Sequence, residues 1–282
     1  MTEQIEVPAG TIEYTDTGGS GPVVVLIGGL AIGPSLWDGV VAALRGDHRV
    51  IVPTLPWGAH RIPMRPDADL SLAGHARIVA DLLDALDLRD VTLVENDTGM
   101  AQLVAADHPQ RLARLVITSC EAFENYPPGL AGKTVGLVGR LPGGVLLAMS
   151  QLRIRPLRKL PMTFGWMTKH GIPDAMMDDW LRPLLSDRAI RRDLTKYIRS
   201  VDRHVLTQTA ERLRGFDRPA LVAWAAEDRL MPAEHGRRLA ALLPQGRFVE
   251  VPDSRTLIPL DQPDLLADLI AEHVRAEAPA VA

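Results

Sequence analysis

The stretch VTLVENDTGMAQLVAADHP, residues 91–109, passes from β-branched and apolar residues through Asn96-Asp97-Thr98-Gly99 into an Ala/Leu/Val-rich helical pattern. A sharp turn from strand to helix is a place where a nucleophile is presented, so the reading of Asp97 decides both fold and chemistry. Asp tolerates the positive φ of such a turn better than most residues. It is also a strong N-cap, which suits a helix beginning at Thr98 whatever else Asp97 does.

Working outward, short β-type runs alternate with helical patterns. TIEYTDTG (11–18), PVVVLIGG (22–29), HRVIVPTL (48–55), VTLVEN (91–96), LARLVITSC (112–120), PALVAWAA (219–226) and GRFVEVPD (246–253) read as strands. The later ones are continuous apolar runs, the mark of strands buried on both faces in a parallel sheet. Helical periodicity fills residues 35–46, 71–87, 98–108, 233–244 and 262–277. The alternation predicts an α/β fold, a doubly wound and mostly parallel sheet.

One segment breaks the rhythm. Residues 122–216 lack a buried-strand pattern, carry YPPG and LPGG turns, and show helical periodicity in DAMMDDWLRPLL and IRRDLTKYIRSVDRHVL. An insertion this long is no bare loop. It is expected to form a helical cap, leaving residues 1–121 and 217–282 as the core. All four lysines fall inside it. That basic bias could steer an anionic substrate, but a solvated surface of mixed charge is the simpler reading.

Composition bounds the rest. The chain has 282 residues, 46% of them apolar, and a net charge of −4 made of interspersed signs. This gives no case for nucleic acid or an anionic membrane as partner. Cys120 is the single cysteine, so no internal disulfide or thiolate metal cluster forms, consistent with a reducing compartment. The N-terminal residues are polar and acidic, without a basic and apolar leader, and no apolar run reaches about 18 residues. GGSGP precedes a strand rather than opening a helix, so it reads as a turn and not a phosphate loop. The expectation is a soluble cytoplasmic monomer or homodimer that takes a small-molecule substrate and needs no cofactor or metal.

The turn at Asp97 resembles the nucleophile elbow of the α/β-hydrolase superfamily, and three further stretches follow in that superfamily's order. LIGGLAIGPSLW resembles its oxyanion loop, with Gly28-Gly29 in the His-Gly place; WAAEDRLMP resembles the loop carrying the triad acid, at Asp228; VPDSRTLIPLDQP resembles the loop carrying the histidine. An Asp at the elbow is the pattern of the epoxide hydrolase and haloalkane dehalogenase branch. There the carboxylate, ionised without help from a base, attacks carbon to give an alkyl-enzyme ester. The resemblance implies backbone oxyanion support from Leu30 and Thr98.

The departures concern chemistry. Counting within the last loop places Thr256 where the resemblance puts a histidine, and threonine is no general base at neutral pH. Gly28 replaces the oxyanion-loop histidine, Glu95 stands where the elbow has a small glycine, and Thr98 where many Asp-type relatives have a tryptophan. Epoxide hydrolases protonate the opening ring with two cap tyrosines. Here Tyr197 is expected to donate, and its convergence with Tyr126 is not.

His60, in the loop TLPWGAHRIPM that borders the site in this fold, is the histidine expected in the pocket. Glu121 and Glu124 follow the strand 112–120 at its carboxyl end, where ligands bind in open α/β sheets. A carboxyl held protonated beside ionised Asp97 makes an acid/base pair without histidine. Asp97, Asp228, His60, Glu121 and Glu124 are thus the expected catalytic set. Gly29, Leu30, Trp57, Asn96, Thr98, Tyr197 and Thr256 are the expected substrate-binding positions. Three functions fit: an Asp97-centred enzyme on a small apolar molecule, a non-hydrolytic cyclase, lyase or isomerase, or an inactive small-molecule receptor.

Overall fold

Runs such as VVVLI and ALVAWA leave no polar face to turn toward water, and they form the middle of an eight-stranded sheet. The computed structural model of the chain describes residues 2–161 and 163–276. In chain order these give β1 (Thr2–Val7), β2 (Gly10–Asp16), β3 (Val23–Ile27), α1 (Asp38–Leu44), β4 (Arg49–Thr54), α2 (Leu72–Ala85), β5 (Val91–Asp97), α3 (Met100–Asp107) and β6 (Leu112–Cys120). The chain then runs through α4 (Gly129–Val138), α5 (Gly144–Ser150), α6 (Asp174–Ser186), α7 (Arg188–Ser200) and α8 (Val205–Leu213). It re-enters the sheet at β7 (Ala220–Ala225), followed by α9 (Ala233–Leu242), β8 (Gly246–Val251), α10 (Ile258–Asp261) and α11 (Pro263–Arg275).

The strand order is β1-β2-β4-β3-β5-β6-β7-β8. β2 runs antiparallel to both neighbours, and every pair from β4 onward is parallel. Every residue of β5 and β7 is buried. This places the carboxyl end of β5, and with it Asp97, at the middle of the sheet's upper edge.

All seven expected strands are present, and β1 is an eighth. Its TEQIEV sequence is mostly exposed at the sheet edge, so it carries none of the apolar pattern that marks a buried strand. The helix expected from Thr98 begins at Met100, because Asp97-Thr98-Gly99 are consumed by the turn. The single pattern over 190–206 is two helices. Asp187 caps α7 by accepting the Ala189 N–H at 2.7 Å, and the chain breaks at 201–204 before α8. The last expected helix ends at Arg275, and its residue 277 lies outside the described residues.

Buried polar contacts fasten the inserted helices to the sheet. The carboxylate of Asp193 on α7 is fully buried and accepts the Met64 N–H at 2.8 Å, an Arg192 N–H at 2.7 Å and His60 Nε2 at 3.3 Å. The Gly58 N–H donates to His60 Nδ1, so the ring proton sits on Nε2 and points at Asp193. Asp261 takes the Thr168 hydroxyl and the Lys169 and Arg255 N–H groups.

Glu95, two residues before the elbow, is fully buried, and its Oε2 accepts the Ala101 N–H at 2.7 Å. Gly99 offers α3 no side-chain cap, so Glu95 satisfies one of the helix's free N–H groups from below. Burial, against that hydrogen bond, raises the Glu95 carboxyl to about 8.

Two stability outcomes follow. Asp193→Ala strands the buried Met64 N–H and His60 Nε2 and removes a partner of Arg192, and is expected to cost about 3–5 kcal/mol, read as a fall in melting temperature of roughly 10 °C, with Asp193→Asn milder. A carboxyl raised in the folded state stabilises fully below its unfolded value and loses that contribution as pH climbs through about 8. Glu95→Gln keeps the acceptor and removes the titration, so its melting temperature should match the parent near pH 4 and exceed it at pH 9.

Candidate active site

Asp97 has φ +77°, the left-handed turn that swings its side chain out of the strand line. The oxyanion-loop stretch after β3 presses against it. A Cβ on Gly29 would lie 2.0 Å from Asp97 Oδ2, so only glycine lets the loop backbone approach. One residue on, the Leu30 backbone N–H faces Asp97 and favours its ionised form. Burial and then the charge of Asp228 push Asp97 up to about 7, against that backbone donor.

The carboxyl opens on a cavity of about 190 Å³ whose wall is mostly apolar. Leu30, Thr98 and Met231 come from the loops at the sheet edge. Val135, Met149, Leu152, Phe164 and Ile198 come from the segment between β6 and β7. The ionisable groups on this wall are Asp97, Glu121 and Tyr197.

Glu121 follows β6 directly, and its backbone N–H reaches the Asp97 carbonyl at 3.4 Å. Gln102 holds the Glu121 carbonyl at 2.8 Å. Its Oε2 is buried with no hydrogen-bond partner among the described residues. Burial first, then the charges of Asp97 and Glu95, raise its carboxyl well above the usual range, so it carries a proton at neutral pH.

Tyr197 and Tyr126 do converge, contrary to expectation: their hydroxyl oxygens stand 3.1 Å apart. Tyr197 stacks on Trp57 at 5.3 Å between ring centres, and His75 meets both rings edge-on. Burial, then Glu121, hold the Tyr197 phenol well above its ordinary value, so it remains protonated. Burial also lowers His75 to about 4, leaving a neutral ring that packs rather than titrates.

Several expected site residues lie elsewhere. His60 is turned away into its contact with Asp193, and neither it nor any other residue of its loop lines the cavity; the side chain serves the helix anchor. Glu124 is exposed, paired with Arg238 at 3.1 Å, because the turn at Phe123 (φ +52°) carries the chain outward after Glu121. Trp57 backs Tyr197 instead of touching the cavity. Gly29 acts through its closeness to Asp97. Asn96 points behind the elbow, donating to the Thr256 carbonyl at 2.7 Å and to Thr118 at 2.8 Å.

Thr256 is fully buried and outside the cavity wall, and its Oγ1 donates to Asp228 Oδ1 at 2.9 Å. That same oxygen accepts the Leu230 and Met231 N–H groups at 2.9 and 2.8 Å, while Oδ2 has no partner among the described residues. Asp228 therefore shapes the loop that delivers Leu230 and Met231 to the cavity. Burial raises its carboxyl despite these donors.

The arrangement can hold an apolar molecule against one carboxyl that titrates near neutrality, a second that stays protonated, and a phenol. Among the described residues no group of three or more His, Cys, Asp or Glu is disposed to hold a metal. No helix of the described residues is long and apolar enough to cross a membrane.

Comparison with known proteins agrees with this architecture. An uncharacterized protein of Mycobacterium tuberculosis is 29% identical over 286 residues, covering 93% of this chain and 78% of its own. A haloalkane dehalogenase of Mesorhizobium japonicum is 34% identical over 146 residues, which is 50% of this chain and 47% of that one. In structure, a haloalkane dehalogenase from Bradyrhizobium elkani superposes with a TM-score of 0.77 at 18% identity, over 98% of this chain and 99% of its own. The sequence profile of the alpha/beta hydrolase fold matches residues 22–263. With this match over most of its length, the chain belongs to the alpha/beta hydrolase fold family.

Proposed function

We propose that this protein is an enzyme acting on a small, largely apolar molecule held beneath the inserted helices, with Asp97 as the working carboxylate and no histidine serving it. The observation that carries the reading is the grouping of Asp97, Glu121 and Tyr197 on one apolar cavity wall. Thr256 occupies the place the superfamily gives to its histidine, and it only donates to Asp228. The incomplete triad is thus matched by a different supply of protons.

Ionised Asp97 takes a proton from the substrate, and Glu121 or the Tyr126–Tyr197 phenol pair returns one to the oxygen on which charge develops. The apolar wall keeps water from competing. That cycle serves a cyclisation, elimination or isomerisation, where no water need be activated. The inserted helices act as a cap that shapes the pocket.

A second reading has Asp97 attack carbon directly, as in the branch to which haloalkane dehalogenases belong. The Leu30 backbone N–H, which favours the ionised form of Asp97, supports it, since such a donor would stabilise the carbonyl oxygen of an alkyl-enzyme ester during its breakdown. Without a base to activate water, that ester would accumulate. Intact-mass analysis after incubation with epoxides, haloalkanes and esters separates the two: a persistent adduct on Asp97 supports attack, and turnover without adduct supports proton transfer.

For any substrate found, Asp97→Asn should lower kcat by about 10²–10⁴-fold and Glu121→Gln or Tyr197→Phe by about 10-fold or more. Full activity in Asp97→Asn would overturn both readings. Because the base form of Asp97 grows as pH rises through about 7, kcat/KM should climb over that range in the parent. Gly29→Ala should abolish activity with little loss of fold, since the added methyl displaces the carboxyl from Leu30.

A further inference from the structure

Between Glu124 and Asp174 the chain has no acidic residue in 49 positions, and seven Lys or Arg. The rest of the protein holds 24 Lys or Arg against 35 Asp or Glu, so a cationic segment sits on an otherwise anionic molecule. The whole-chain charge conceals this. Every large apolar side chain found exposed, among the described residues, also falls in this segment: Leu137, Leu141, Leu146, Leu147, Ile154, Leu160 and Trp166, with Leu137 and Leu147 about 70% exposed.

The two features occupy the outside of one wall. Gly132, Val135 and Gly136 of α4, and Ala148 and Met149 of α5, line the cavity. Lys133, Leu137 and Arg140 recur at helical spacing on a different, exposed flank of α4 and its terminal turn. Farther along, Leu152 and Phe164 face the cavity while Ile154, Leu160 and Trp166 face outward. A single layer of chain thus separates an exposed apolar and cationic surface from the apolar cavity.

Some of the charge is neutralised at home. Arg158 is buried against Asp174 and Asp178, Arg155 reaches Asp174 at 3.3 Å, and Lys169 pairs with Glu227 and Asp253. Lys133, Arg140, Arg153 and Lys159 are exposed with no carboxylate partner among the described residues. Exposed leucines and a tryptophan interleaved with unpaired cations match the chemistry of an anionic lipid interface, where apolar side chains enter the acyl boundary and Lys and Arg meet headgroups. Exposed large apolar side chains concentrated in one segment mark an interaction surface.

We propose that the face formed by residues 133–166 docks on an anionic lipid surface and takes its apolar substrate from that surface through the adjoining wall. The docking step rests on no assignment of chemistry to Asp97. It is therefore testable whether or not the reaction proposed above is correct.

The full chain is sedimented with phosphatidylcholine vesicles containing one third phosphatidylglycerol, and with pure phosphatidylcholine. Binding is expected to the anionic vesicles, with a blue shift in tryptophan fluorescence that is lost in Trp166→Phe, and release at about 0.5 M salt, where charge is screened. Replacing Lys133, Arg140, Arg153 and Lys159 by Gln should weaken binding by on the order of a hundredfold. Leu137→Ser with Leu147→Ser should do so by about tenfold or more. Circular dichroism of these surface variants checks that they fold, and Asp97→Asn should bind as the parent does. Failure to bind the anionic vesicles overturns the proposal. So does concentration-dependent self-association abolished by the two leucine changes, which would make a second copy of the chain the occupant.

Discussion

The close approach of Gly29 to the Asp97 side chain is the constraint on which the site depends. The elbow's positive φ at the end of β5 aims the carboxyl toward the loop after β3, and only an unsubstituted backbone fits against it. That contact brings the Leu30 backbone toward the Asp97 side chain, and both residues line the cavity. The parallel order β4-β3-β5-β6 follows from fully buried apolar strands, and it brings the loop after β3 and the residue after β6 to either side of the elbow. Position in the sheet, rather than any one hydrogen bond, assembles Leu30, Asp97 and Glu121.

What the sheet assembles, the inserted helices dry out. A carboxyl in water titrates near 4; the same group under a roof of Val135, Met149, Phe164 and Ile198 does not. Desolvation outranks neighbouring charge as the cause at Asp97, Glu121 and Glu95 alike. The apolar wall is therefore part of what sets the protonation of these carboxyls. Fold and titration share one origin here, the removal of water from Glu95, Asp97 and Glu121 at the ends of two neighbouring strands.

Most of the scaffold was legible because buried strands cannot hide their composition. The elbow, Glu121 and the loop carrying Asp228 were found at strand ends, whose position in this fold is fixed by topology. β1 was not, since an edge strand needs no apolar run. α4 and α5 escaped notice because GLAGKTVGLVGRLPGG is rich in glycine, a poor helix former held here by tertiary packing. His60 shows the limit of loop-level inference: no residue of its loop lines the cavity, and the direction of its side chain is set by Asp193, 133 positions away. The meeting of Tyr126 with Tyr197 across 71 positions left no local trace either.

Burial, with the charge of Asp228 added to it, leaves Asp97 poised between charged and neutral near pH 7. Any molecule that lodges against it must then settle its protonation. An anion or an electron-rich oxygen will draw a proton in from solvent, and a cation will expel one. Occupancy of the cavity and proton exchange with bulk water are thereby a single thermodynamic event. The heat of ligand binding should in consequence depend on the ionisation enthalpy of the buffer, and the number of protons exchanged reports the charge of whatever the cavity was built to receive.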